Sequence, residues 1–261
     1  MKDLRIFSLY SGSGGNAFLI STPNEKILID AGKSARSLCR ALAECGVEPS
    51  DLDAILVTHE HSDHIGALPV LLKKNNVPVH LPIACACKLE GSAAEDKLCP
   101  HPPIYETEIG RIRIRSFPTP HDSRASCGYR LDIPTENGIL KLGFATDVGY
   151  VSDTVEEALT GCHAVILESN HDPEMLENGP YPYDLKRRIA SRYGHLSNPD
   201  SACLASRLAA AGMRSVMLAH LSRENNTPQT AYHEYLSTLA DESVRITLTD
   251  PDEIVEMDLE D

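Results

Sequence analysis

The sequence predicts an α/β fold in which two mixed sheets pack face to face with helices on their outer faces. Three observations point there. Short apolar runs alternate with helical patterns along all 261 residues, and no repeat, linker or low-complexity segment interrupts them. Glycine, asparagine and proline turns join the early strands into hairpins, whereas later strands have helices between them. Acidic and imidazole side chains recur just beyond strand ends, where loops from several strands can converge on one edge.

The first third reads as strands near residues 6–10, 17–21 and 26–30, joined by Gly12-Ser13-Gly14-Gly15-Asn16 and Pro23-Asn24-Glu25. A helix follows, with Leu38, Leu42 and Cys45 on one face and Gly46 as its stop. Ala54-Ile55-Leu56-Val57 reads as a buried strand, and Ile65-Gly66-Ala67-Leu68 as the start of a helix. Strands are expected at 111–117, 128–133 and 139–144, then a helix around 154–159 and a strand at 164–168. Asn198-Pro199 supplies N-cap and first-position chemistry for a helix running to Gly212, with Leu204, Leu208 and Ala211 inward. A strand at 215–219 and a helix capped by Thr227, with Pro228 first inside it, follow. One domain spanning 1–261 is the simplest organisation.

Hydrophobic and charged shares of 42% and 24% describe a chain able to bury an ordinary globular core. Met1-Lys2-Asp3-Leu4-Arg5 lacks an apolar signal core, and no apolar run approaches the length that spans a bilayer, so a cytoplasmic protein without a membrane partner is expected. Eight cysteines without a Cys-x-x-Cys pair read as free thiols, with Cys85 and Cys87 as small buried hydrophobes. A net charge of −14 opposes a polyanionic substrate unless bound divalent cations reverse the sign locally. Part of that acidity lies in residues 250–253 and 258–261, read as a tail that stays away from any site.

Between Thr58 and His64 the chain reads Thr-His-Glu-His-Ser-Asp-His. Imidazole nitrogens and carboxylate oxygens at this density are a divalent-metal donor set, and a strand-to-helix turn lets His59, His61, Asp63 and His64 point together. A two-metal site is the reading. The strand-end rule adds Asp30, His121, Asp147, Asn170 and His220 to the same edge.

The order Asp, His-x-His-x-Asp-His, His, Asp, His along nearly the whole chain resembles the metallo-β-lactamase fold superfamily, and implies its αββα sandwich. The resemblance implies that His59, His61 and His121 hold one metal, that Asp63, His64 and His220 hold a second, and that Asp147 bridges them. Asp30 is then expected to orient a ligand imidazole from outside. Within the superfamily, Ser11–Asn16, Glu168-Ser169-Asn170-His171-Asp172, Gly179-Pro180-Tyr181-Pro182 and Gly194-His195-Leu196-Ser197-Asn198 look like the YycJ/WalJ group, bacterial exonucleases acting from 5′ ends on duplex DNA. The chain departs from that group at Gly14, where relatives commonly carry Ser, and both its length and the interval from Asp147 to His195 are too small for the inserted domain of the β-CASP RNA nucleases.

The function expected is phosphodiester hydrolysis on DNA by a hydroxide bridging two divalent ions, zinc or manganese and with iron possible. Asp63, Asp147 and His195 are the expected catalytic residues, with His195 binding phosphate or protonating the leaving oxygen beside a helix N-terminus. Substrate contacts are assigned to Ser13, Asn16, Asn170, His171, Ser197, Arg187 and Arg188, the last two on a helix with Lys186 and Arg192. Each has a plainer reading: the glycine loop as a hairpin turn, His171 as a loop pivot, Asn198 as an N-cap, the basic residues as a solvated face. His80, His101, His163 and His233 match no motif position. The alternatives are a small-molecule hydrolase acting on a cyclic phosphodiester, thioester or lactone, and a regulatory protein that has lost catalysis.

Overall fold

In the computed structural model, which describes residues 4–259, the first six strands build one sheet, which the last strand joins, and the strands between them build another. The elements run β1 (Arg5–Tyr10), β2 (Ala17–Ser21), β3 (Lys26–Ile29), α1 (Ala35–Glu44), β4 (Ala54–Leu56), α2 (Ser62–Ile65), α3 (Leu68–Leu71), β5 (Val79–Pro82) and β6 (Leu98–His101). They continue with β7 (Glu106–Ile109), β8 (Ile112–Pro118), β9 (Cys127–Thr135), β10 (Gly138–Ala145), α4 (Asp153–Leu159), β11 (Ala164–Glu168), α5 (Pro173–Asn178) and α6 (Tyr183–Ile189). Last come α7 (Asn198–Ala210), β12 (Ser215–Ala219), α8 (Pro228–Thr238), β13 (Arg245–Leu248) and β14 (Val255–Glu256).

Both sheets are mixed, as expected. The first is ordered β14-β1-β2-β3-β4-β5-β6, antiparallel through β3 and parallel beyond it. The second is ordered β13-β12-β11-β10-β9-β8-β7, antiparallel from β7 to β10 and parallel from β10 to β13. The layering follows from the period-two geometry of strands buried on both faces. Ile6, Phe18, Ile27 and Ile29 enter the inner core with Ile114, Tyr129, Leu142 and Ile166 of the opposite sheet. Their neighbours Phe7, Leu19 and Leu28 point the other way, against Leu38 and Leu42 of α1. On the far side Val165, Leu167 and Val216 meet Leu204, Leu208 and Tyr235 of α7 and α8. The result is an αββα sandwich.

Several local expectations need correction. The helix after the histidine string starts at Ser62 rather than near Ile65, so Asp63 and His64 are helical and His61 is the N-cap. Ser197, not Asn198, caps α7: its side chain accepts from Asp200 N–H, while Asn198 accepts from Ser169 Oγ and exchanges bonds with Asn226. Arg192 lies past the end of α6. Cys87 is exposed although Cys85 is buried, and all eight thiols are free. The acidic stretch at 250–253 is no free tail, because Asp252 binds Lys33 (3.0 Å) and Arg223 (2.6 Å), and β14 pairs with β1. Of residues 258–261, the last two lie outside the described residues, and Asp258 binds Arg245 at 2.7 Å. Among the described residues no helix is long and apolar enough to cross a membrane.

Candidate metal centre

The carboxyl ends of β3, β4, β10, β11 and β12 and the loop after β8 meet at one edge, where parallel strands leave their last side chains and the following loops facing a common crevice. Three non-glycine residues have left-handed backbones among the described residues: Asp30 (φ 62°), Asp147 (φ 56°) and His220 (φ 58°). Each follows a strand of this edge. Such conformations cost of order 1 kcal/mol or more apiece, so the surrounding structure holds these side chains against local preference.

Gly32 explains how the segments approach one another. A Cβ there would fall 1.5 Å from Asp63 O and 2.6 Å from Asn16 N, so only glycine fits the crossing. Backbone bonds then lash the three segments: Asn16 N–H donates to Asp63 O, Ala31 N–H to His64 O and Gly32 N–H to Asn16 O.

Two groups of donors face each other across Asp147. His59, His61 and His121 form one, with His59 Nε2 and His61 Nδ1 3.0 Å apart. His121 is oriented by its Nδ1, 3.1 Å from the Gly194 carbonyl. Asp63, His64 and His220 form the other. Asp147 Oδ2 lies 3.4 Å from His64 Nε2, while its Oδ1 is 3.8 Å from His121 Nε2 and 3.7 Å from His220 Nδ1. Asp147 Oδ2 and His220 Nε2 are buried without a hydrogen-bond partner. Buried polar atoms are rarely left so, and a cation between them satisfies both. This donor set fits divalent metal.

The supporting contacts fix ring orientation. Asp30 accepts from Thr58 N–H (2.8 Å) and Thr58 Oγ (2.9 Å) and lies 2.8 Å from His64 Nδ1, which leaves His64 Nε2 facing the centre. Burial lowers the pKa of His59, reinforced by His64, His121 and His61, so its ring is neutral. For His64 burial acts downward too, but Asp147 and Asp30 outweigh it and hold the pKa well above its ordinary value. Burial would raise Asp147, yet His220, His64 and His121 bring it below the usual carboxylate range.

Glu168 is the residue that sequence reasoning missed. It is fully buried at the end of β11, and its Oε1 lies 2.8 Å from both His195 Nδ1 and His220 Nδ1. Its Oε2 accepts from Val148 N–H (2.7 Å) and Leu196 N–H (3.1 Å). One carboxylate thereby sets two imidazoles and two loops. Burial opposes its ionisation, but His195 and His220 lower its pKa decisively. The signal was present: an acid in the last position of an otherwise apolar strand needs a buried partner. Glu60, inside the histidine string, accepts from Arg124 N–H at 2.9 Å and ties the His121 loop to the string.

The expected substrate residues divide. A cavity of about 320 Å³ over the centre is lined by Ser13, Asp63, His121, Asp147, Asn170, Arg188 and His195 among others. Arg188 Nε donates to Asp122 Oδ2 at 2.5 Å. Asn16 has no exposed surface and sits beneath, with Oδ1 accepting from Gly12 N–H and Nδ2 3.1 Å from His64 Nε2. Ser197 is engaged as a cap, and His171 and Arg187 line a neighbouring pocket instead. Asn170 Nδ2 donates to the His220 carbonyl at 2.8 Å, pinning that loop.

A model of the beta-lactamase superfamily domain matches residues 25–221. The chain belongs to that superfamily. It is 38% identical over 237 residues to the exodeoxyribonuclease WalJ of Streptococcus pneumoniae, covering 89% of this chain and 87% of that protein. It is 36% identical over 226 residues to the exodeoxyribonuclease YycJ of Bacillus anthracis, covering 85% and 84%. This beta-lactamase superfamily chain is therefore YycJ/WalJ-like, as its motifs implied. Its fold matches the crystal structure of the metallo-β-lactamase fold protein YhfI from Bacillus subtilis, with a TM-score of 0.72 at 17% identity over 97% of this chain and 99% of that one. Superfamily membership together with the candidate metal centre makes it a metal-dependent hydrolase.

Proposed function

We propose that the chain is an exonuclease that hydrolyses phosphodiester bonds of DNA with two divalent metal ions. The observation that carries this reading is the convergence of two donor groups on Asp147, whose Oδ2 is buried and unpaired. The names of its relatives supply the substrate. His59, His61 and His121 would hold one ion, Asp63, His64 and His220 the other, and Asp147 would lie between them. Nitrogen and oxygen donors in this mixture suit zinc or manganese, and iron as well. Divalent ions there supply Lewis acidity that draws charge from a phosphodiester and lowers the pKa of water.

The chain's own residues do the rest. Glu168 fixes the His195 proton on Nδ1, so Nε2 is the nitrogen left to meet a phosphate oxygen or leaving group. Arg188 commits its Nε to Asp122 and keeps its remaining N–H groups for phosphate at the cavity wall. Residues 4–259 act as one domain in this reading, because the inner core draws on both sheets. Eight free thiols support a reducing, cytoplasmic setting.

The test is hydrolysis of end-labelled single-stranded and duplex DNA, beside bis(p-nitrophenyl) phosphate, by metal-loaded protein and by Asp63→Ala. Metal-dependent release of nucleotides, falling at least ~100-fold in the variant and abolished by chelator, is expected. Full activity of Asp63→Ala would refute the two-metal scheme, and turnover of the small ester alone would refute the nuclease and leave a small-molecule hydrolase.

A further inference from the structure

Helix α6 separates the cavity over the candidate metal centre from a second pocket. Leu185, Arg188 and Ile189 face the cavity, and Tyr183, Lys186, Arg187 and Ala190 face the pocket. The pocket is open to solvent and measures about 470 Å³; Pro173 and Leu176 give it an apolar wall, and Glu177 is the one acid that lines it. Tyr183 is 72% exposed, far more than a tyrosine serving the core, and Arg187 lies over its ring at 5.7 Å from the centroid. On the inner wall His171, 4% exposed, leaves Nδ1 without a partner. Between residues 181 and 193 stand Lys186, Arg187, Arg188 and Arg192 against one acid, Asp184, in a chain whose net charge is −14.

Lys186 Nζ donates to the Glu177 carbonyl at 2.7 Å and so stands at the rim beside Arg187. An open apolar pocket edged by an exposed aromatic ring and two cations, which outnumber its one acid, has the chemistry of a base-stacking subsite with the backbone held outside it. The candidate centre lies deep: His59 and His64 have no exposed surface, and the cavity above them, at about 320 Å³, lies at the small end of ligand sites, nearer the size of one nucleotide's phosphate and sugar than of a base pair. A strand end drawn into it leaves the neighbouring base without a stacking partner, and that base needs a surface to replace the lost stacking. The pocket is one helix width from the cavity, about 10 Å.

We propose that the pocket behind α6 binds one unpaired nucleobase of the DNA strand, stacked on Tyr183 and flanked by Lys186 and Arg187, while the adjoining phosphodiester occupies the metal-candidate cavity. This rests on the nuclease reading above. Recognition is independent of base identity, because every base offers a π face.

The experiment measures KM and kcat of the metal-loaded full chain on a 12-nucleotide single strand of mixed sequence, and on the same strand with one abasic site moved position by position. For Tyr183→Ala, KM rises about 5- to 150-fold, the worth of one stacked base, with metal content and melting temperature unchanged, and Tyr183→Phe restores it. At one position the abasic site costs the wild type a similar factor and costs Tyr183→Ala nothing. An unchanged KM in Tyr183→Ala, or abasic penalties that persist in it, overturns the pocket while turnover continues. Absence of metal-dependent turnover on every strand by the wild type instead refutes the nuclease reading and the pocket with it.

Discussion

Replacing Glu168 by Gln tests whether one buried carboxylate organises the candidate metal centre. The carboxylate accepts four hydrogen bonds, two from imidazoles at 2.8 Å and two from backbone N–H groups at 2.7 and 3.1 Å. A glutamine has one acceptor oxygen and a donor NH2. If the NH2 faces Val148 and Leu196, two donors oppose two donors. If it faces the rings, His195 and His220 must move their protons to Nε2, and His220 loses the lone pair that now sits unpaired. Hydrogen bonds to a charged group are worth about 1.5–3 kcal/mol each, so losing two costs about 3–6 kcal/mol of local order. Metal affinity and turnover should each fall about 10- to 100-fold, the usual consequence of removing the group that orients a ligand histidine. Metal affinity is read by chelator competition and turnover on end-labelled DNA. Wild-type values for both in Glu168→Gln would refute the reasoning.

Two further outcomes follow. Gly32→Ala places a Cβ 1.5 Å from Asp63 O, so the crossing of three backbone segments must open; a loss of at least about 3 kcal/mol in urea unfolding and of metal binding is expected, and wild-type stability would show the crossing to be compliant. His80 and His101 stack with Nδ1 and Nε2 2.9 Å apart, and burial, with His101 adding, pushes the His80 pKa down to about 4. Its ordinary value lies above this, so the unfolded chain binds the extra proton first and stability is lost as pH falls from about 6.5 towards 4. Between pH 7 and pH 5 this pair should cost about 1–2 kcal/mol, and His80→Phe should remove that slope in urea titrations; an unchanged slope would place the proton uptake elsewhere.

The αββα layering was legible because Ile6, Phe18, Ile27 and Leu142 belong to strands apolar on both faces, a pattern that only two covered sheets satisfy. Strands β6 and β13 were missed because they are half-exposed sheet edges with mixed side chains, so neither carries a strong apolar signal. The cap of α7 was misassigned because Ser197 and Asn198 both have cap chemistry before a proline; the choice is made by Ser169 and Asn226, which occupy the Asn198 side chain.

For the site, sequence alone determined the donor types and their order, since the string from His59 to His64 brings four donors together within one turn. It could not determine which residues reach the centre and which support it. Asn16 and Ser13 share a glycine loop, yet one is buried beneath the candidate ligands and the other lines the cavity. Glu168 meets His195 and His220, 27 and 52 residues away, only because β11 and β12 run parallel and end at the same edge. The left-handed backbones at Asp30, Asp147 and His220 are likewise imposed by packing, against local preference. Donor chemistry is a property of side chains and is written residue by residue; aim, burial and proton position depend on neighbours that only the folded sheets bring together.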